Sequence, residues 1–115
     1  MMVLKEGAKV HVISRRLFEN DLRRHFVGEV QAVGEVAVRL EGYVFVFDAG
    51  DVRYVKRSER RVRIFGLADS GSIINVIPAH VDLDALSYQV SAKNRTVLTD
   101  GKSFSLDINE FSVIR

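Results

Sequence analysis

Apolar positions along this chain recur mostly at every second residue, and residues 42–48 show the pattern most strongly. In Gly-Tyr-Val-Phe-Val-Phe-Asp, Tyr43, Phe45 and Phe47 fall on one side of an extended chain, and Val44 and Val46 fall on the other. Both faces are apolar, and β-branched and aromatic residues favour the pleat. The stretch therefore reads as a central strand, or as one with a face kept for a partner. The same period predicts a first strand at residues 10–13, after the turn marked by Gly7, with Val10 and Val12 on one face. It also predicts strands at 28–33 and 35–40 joined by a tight hairpin at Gly34, a turn or bulge at Glu41-Gly42, and a short extended piece at 52–55.

One segment changes period. Leu17, Phe18, Leu22 and Phe26 are spaced as a single broad helical stripe, with Ser14 placed as N-cap and Glu19 four residues before Arg23. This spacing predicts a short helix over residues 15–26. Further on, Arg61-Val62-Arg63-Ile64 alternates with its arginines on one face, and residues 69–72 read as a turn. Residues 73–77 read as a buried strand stopped by Pro78, the only proline. Residues 80–86 are read as irregular. Two hairpins then follow, turning at Lys93-Asn94 and Asp100-Gly101, and Phe111, Val113 and Ile114 are expected to close the core. The expected fold is mostly β: a small antiparallel barrel or two packed sheets, with one short N-terminal helix.

Length and composition narrow this picture. At 115 residues the chain reads as a single small β domain spanning residues 1–115, large enough to bury a core without staples. It holds no cysteine, so it offers no disulfide framework, thiolate nucleophile or cysteine-built zinc site; the expected location is cytoplasmic. No run approaches the roughly 18 apolar residues that span a bilayer, and no membrane partner is expected. The net charge of +2 is unevenly spread. Residues 1–63 carry 13 Lys/Arg against 9 Asp/Glu, and residues 64–115 carry 4 against 6. A basic front half points to an anionic partner.

Residues 4–12, Leu-Lys-Glu-Gly-Ala-Lys-Val-His-Val, followed by Phe26-Val27-Gly28-Glu29-Val30, resemble the opening of small SH3-like β-barrels, including Sm-like and KOW-type nucleic-acid modules. The resemblance covers about the first half of the chain, and it implies a barrel-like fold with a capacity for RNA binding or ring formation. The Asp-x-apolar-x-Asn group and the later Arg-Gly pair of Sm-like RNA loops are not present, since Arg63 is not followed by Gly. No site residue is carried over.

Candidate chemistry is sparse. An extended chain would set His80, Asp82 and Asp84 in a row able to hold a metal, but a solvent-facing alternation of polar residues accounts for the same pattern. Asp69-Ser70-Gly71-Ser72 lacks the flanks of a nucleophile elbow, and Thr99-Asp100-Gly101-Lys102 lacks the glycines of a phosphate loop. His11 and His25 have no carboxylate partner in sequence, so no acid–base pair can be named. The expectation is a non-enzymatic protein without metal or cofactor.

Two binding readings remain. In the first, Arg15, Arg16, Arg23, Arg24, Lys56, Arg57, Arg60, Arg61 and Arg63 neutralise the phosphates of RNA, another single strand or a polyanion, while Tyr54 or Tyr43 offers a stacking face. Interleaved Glu19, Asp21 and Glu59 fit a merely solvated surface instead. In the second, the chain self-associates through Tyr43, Phe45 and Phe47, or through an exposed edge at Ile73 and Ile77. The plain alternative is that these apolar runs are the core of a monomer.

Overall fold

The computed structural model describes residues 3–16, 18, 20–68 and 71–108. The chain forms two compact units, Met1–Ala79 and His80–Arg115. In the first, β1 (Lys9–Ile13), β2 (Arg24–Val33), β3 (Ala37–Asp48), β4 (Arg53–Lys56), β5 (Arg61–Gly66) and β6 (Ile73–Ile77) make one antiparallel sheet. Its order is β4-β3-β2-β1-β6, and β5 pairs with the first half of β3, leaving the sheet open rather than closed into a barrel.

Register sorts the side chains into two faces. Phe26 lies opposite both Val12 and Val44, Val30 opposite Leu40, and Val33 opposite Val38. Val10, Val12, Phe26, Val30, Val38, Leu40 and Val44 are the buried core, with Phe65, Leu67 and Ile74 packed against it. The other face carries His11, His25, Tyr43, Phe45, Phe47 and Tyr54, since His11 lies opposite Val27, His25 opposite Phe45, and Phe47 opposite Tyr54.

The predicted helix over 15–26 is not formed. Arg24 to Phe26 belong to β2, because Phe26 gains two cross-strand partners there, and a helix would forfeit them. Ahead of β2 the backbone makes a turn, in which Asp21 N–H donates to the Phe18 carbonyl and the Asp21 carboxylate accepts from Phe18 N–H. Phe18 and Leu22 are exposed, so the expected stripe buries nothing at those two positions; Leu17 and Glu19 lie outside the described residues.

The break expected at Glu41-Gly42 is also absent. β3 runs through it for 12 residues. Gly28 and Gly42 face each other across β2 and β3, and a Cβ on Gly42 would sit 1.9 Å from the Val27 carbonyl oxygen. Glycine here permits a close approach of two backbones, in place of a turn. Only Ile77 of the strand expected to be buried at 73–77 is buried; β6 is an edge with Ile73 and Val76 exposed.

The second unit is a meander of β7 (Ser87–Val90), β8 (Thr96–Thr99) and β9 (Ser105–Asp107), in the order β7-β8-β9. One 3₁₀ turn, Leu83–Ala85, precedes it within the segment read as irregular, and Asp82 caps that turn through Asp84 N–H. Asn94 and Gly101 take left-handed backbone at the two hairpin turns. The Asp100 carboxylate accepts N–H bonds from Lys102, Ser103 and Phe104, and Arg95 pairs with Asp107 across the meander. Phe111, Val113 and Ile114 lie outside the described residues, as do Asp69 and Ser70.

Candidate nucleic-acid interface

The core face of the first sheet does not stay apolar to its margin. Along β3 it continues from Val44 to Val46 and Asp48, and neighbouring strands bring arginines to the same side: Arg24 lies opposite Val46, Arg61 opposite Gly42 and Arg63 opposite Leu40. Arg57 follows β4, where its N–H donates to the Val44 carbonyl. These residues enclose an open groove of about 500 Å³ with Val44, Val46, Val55 and Leu22 along its floor and Arg24, Arg57, Arg61 and Arg63 around it. Asp48 is the one carboxylate lining it among the described residues, and its Oδ1 is engaged by the N–H groups of Gly50 and Asp51 in the β3–β4 turn.

The arginines are poorly neutralised. Arg61 reaches Glu59 at 2.9 Å, an exposed pair worth about 0–1 kcal/mol. Among the described residues no carboxylate pairs with Arg24, Arg57 or Arg63. Partial burial holds the Arg63 guanidinium below its ordinary pKa, and the like charges of Arg61 and Arg24 push it the same way. It stays charged at any working pH, and the shift reflects burial first and repulsion within the cluster second. Repulsion of this kind is relieved by an anion.

The opposite face treats its cations differently. Lys56 Nζ stands 4.5 Å above the Tyr43 ring, Arg60 lies 5.2 Å from the same ring and 3.9 Å from Glu41, and Arg23 lies 5.2 Å from Phe47. Tyr54 packs between His25, at 4.6 Å, and Phe47, at 5.2 Å. Its hydroxyl is pushed up by burial, against the pull of Arg23 and Arg16. His11 stacks edge-on to His25 at 5.5 Å. Burial pushes both imidazoles down to about 4, and for His11 the neighbouring His25 adds to the effect. In the neutral His11 ring, Nδ1 accepts a bond from the Asn75 amide at 3.2 Å, which leaves the ring proton on Nε2.

The nine cations named from sequence are thus divided. Arg24, Arg57, Arg61 and Arg63 come together on the groove; Arg23, Lys56 and Arg60 go to the aromatic face; Arg15 packs against Gly71 and Arg16 lies towards Tyr54. Tyr43 and Tyr54 lie on the face away from the groove. Of the positions named for self-association, Tyr43, Phe45 and Phe47 sit in a strand paired along both edges, whereas Ile73 and Ile77 are in an edge strand. Sequence reading did not single out the floor residues, although the alternation of Val44 and Val46 against the aromatics already placed them together. Among the described residues no cluster of three metal-ligating side chains occurs, and no helix is long and apolar enough to cross a membrane.

No family model, curated protein or solved structure matches this chain.

Proposed function

We propose that the chain is a non-enzymatic binding module that holds single-stranded nucleic acid, RNA in its cytoplasmic setting, in the Arg24/Arg57/Arg61/Arg63 groove. The observation that carries this reading is four guanidinium groups converging on one groove, three of them without a carboxylate partner among the described residues. Folding brings like charges together at a cost, and phosphate offsets it through bidentate hydrogen bonds and release of counterions. The SH3-like and Sm-like resemblance implies a barrel-like fold, whereas the sheet here is antiparallel and open, so the reading rests on the groove and not on the resemblance.

The test is binding of a labelled oligouridine by fluorescence anisotropy across a salt series. Three to four neutralised phosphates give a slope of about −2 to −3 in log K against log salt, a loss of roughly 20- to 50-fold between about 50 and 200 mM salt. Replacing Arg61 and Arg63 together by Glu removes binding at the lower salt. Retention of wild-type affinity by that variant overturns the reading.

A second reading, self-association, is favoured by one specific observation. β6 is an edge strand exposing Ile73 and Val76, and β5 exposes Val62 and Ile64. Edge pairing between copies would cover these residues. Light scattering on the eluting peak separates the readings: a concentration-dependent oligomer that Val76→Lys dissolves supports assembly, and a monomer at every concentration excludes it.

A further inference from the structure

Resting on that nucleic-acid reading, the geometry points to a groove that takes the strand by its phosphodiester backbone and leaves the bases unread. Three observations converge on this mode.

The first is spacing. Arg61 and Arg63 are two residues apart on β5, so their side chains leave the same face about 6.6 Å apart. That is close to the separation of successive phosphorus atoms in an extended single strand, and it sets two guanidinium groups on adjacent phosphates. Arg57, at the end of β4, and Arg24, across β3 on β2, face them over the floor and can meet a third phosphate or a bend in the strand.

The second is the floor. Val44, Val46 and Val55 are aliphatic, none of the described residues lining the groove is aromatic or is Asn, Gln, Ser or Thr, and Asp48, its one carboxylate, has its Oδ1 engaged by the Gly50 and Asp51 N–H groups. Such a surface can take the apolar side of a sugar, but it gives a base neither a stacking partner nor a hydrogen-bonding code.

The third is where the aromatics have gone. Tyr43, Phe47 and Tyr54 occupy the opposite face, and their rings are engaged by Lys56, Arg60, Arg23 and His25. Known stacking platforms for single strands place aromatic side chains in the same groove as the cations. Here the four groove arginines and the aromatics lie on opposite faces of the sheet, and the cations that share the aromatic face are already seated on its rings.

The experiment compares three strands about a dozen units long on the full chain: oligo-dT, oligo-dA, and an abasic strand with the same phosphodiester backbone and no bases. The expected result is affinities within about three-fold of one another, with the same salt slope. A single stacked base is worth roughly 5- to 150-fold, so an abasic strand that binds ten-fold or more weaker than oligo-dT overturns the inference while leaving nucleic-acid binding intact. A ten-fold preference between oligo-dT and oligo-dA overturns it in the same way. If none of the three binds at low salt, the underlying reading fails along with this one.

Discussion

The two faces of the first sheet carry nearly the same number of cations and put them to opposite uses. On the aromatic face, Lys56, Arg60 and Arg23 lie over rings, and Arg60 also meets Glu41, so their charge is absorbed locally and helps hold the fold. On the groove face, Arg24, Arg57 and Arg63 lack such partners among the described residues, and the charge of Arg63 is disfavoured by burial and then by its neighbours. A cation spent on the fold is poorly available to a ligand, and one held against repulsion is available for it. On the proposed reading, this difference separates a structural cluster from a binding cluster without any count of charges.

Gly42 is the point at which both faces can be broken at once. Because a Cβ there meets the Val27 carbonyl at 1.9 Å, Gly42→Ala forces β2 and β3 apart. The expected loss is about 3 kcal/mol, at the upper end of overpacking penalties. It should lower the thermal midpoint by 10 °C or more, about what that loss implies for a unit of this size, followed by circular dichroism. A midpoint within about 2 °C of the parent would show that the close approach is not needed.

Between pH 6.5 and about 4, acid should cost stability through the aromatic face. Both histidines have folded pKa values of about 4 against an ordinary 6.5, so the unfolded chain takes up protons first. Their contribution is complete above pH 6.5, is lost as pH falls through the window from 6.5 to about 4, and stays lost below it. A shift of this size is worth up to about 3 kcal/mol per group, and urea midpoints across the window measure it. His11→Gln should flatten the profile. The salt slope of the proposed nucleic-acid binding should stay constant across this window while the chain is folded. Asp100, in the other unit, is held below the ordinary carboxylate value by backbone N–H bonds, so its contribution is lost only at still lower pH.

Smaller effects distinguish individual cations. Lys56→Ala and Arg60→Ala should each lower stability by about 0.5–1 kcal/mol, the worth of an exposed cation–π contact. Arg63→Gln should leave stability unchanged or raise it by a few tenths of a kcal/mol, since it removes a repelled charge that solvent partly screens. Denaturant titrations of the three variants settle the signs.

The mostly β character of the chain was legible because Val, Ile and Phe alternate through most of it, and a period of two needs no tertiary information. The helix expectation failed at Phe26, whose spacing from Leu22 and Phe18 suits a helix but whose partners, Val12 and Val44, come from elsewhere in the sequence. Gly42 was misread for a related reason: glycine signals a turn locally, whereas here it serves a neighbouring strand. At the site, the cations could be named but not sorted. Arg60 and Arg61 are consecutive and part to opposite faces, but only the pairing of Arg61 with Gly42 fixes which of them joins the groove, and Arg24 joins it through its register with Val46. Nothing near His11 in sequence announces Asn75.

The most direct test of the two-face account crosses two double variants with two readouts. Arg61→Ala with Arg63→Ala should weaken oligouridine binding at least ten-fold, reduce the salt slope by about 1.4 and leave the urea midpoint unchanged. Lys56→Ala with Arg60→Ala should lower the urea midpoint and keep affinity within about two-fold. Equal losses of affinity in both variants would contradict the account, because the two faces would then be a single diffuse field of positive charge.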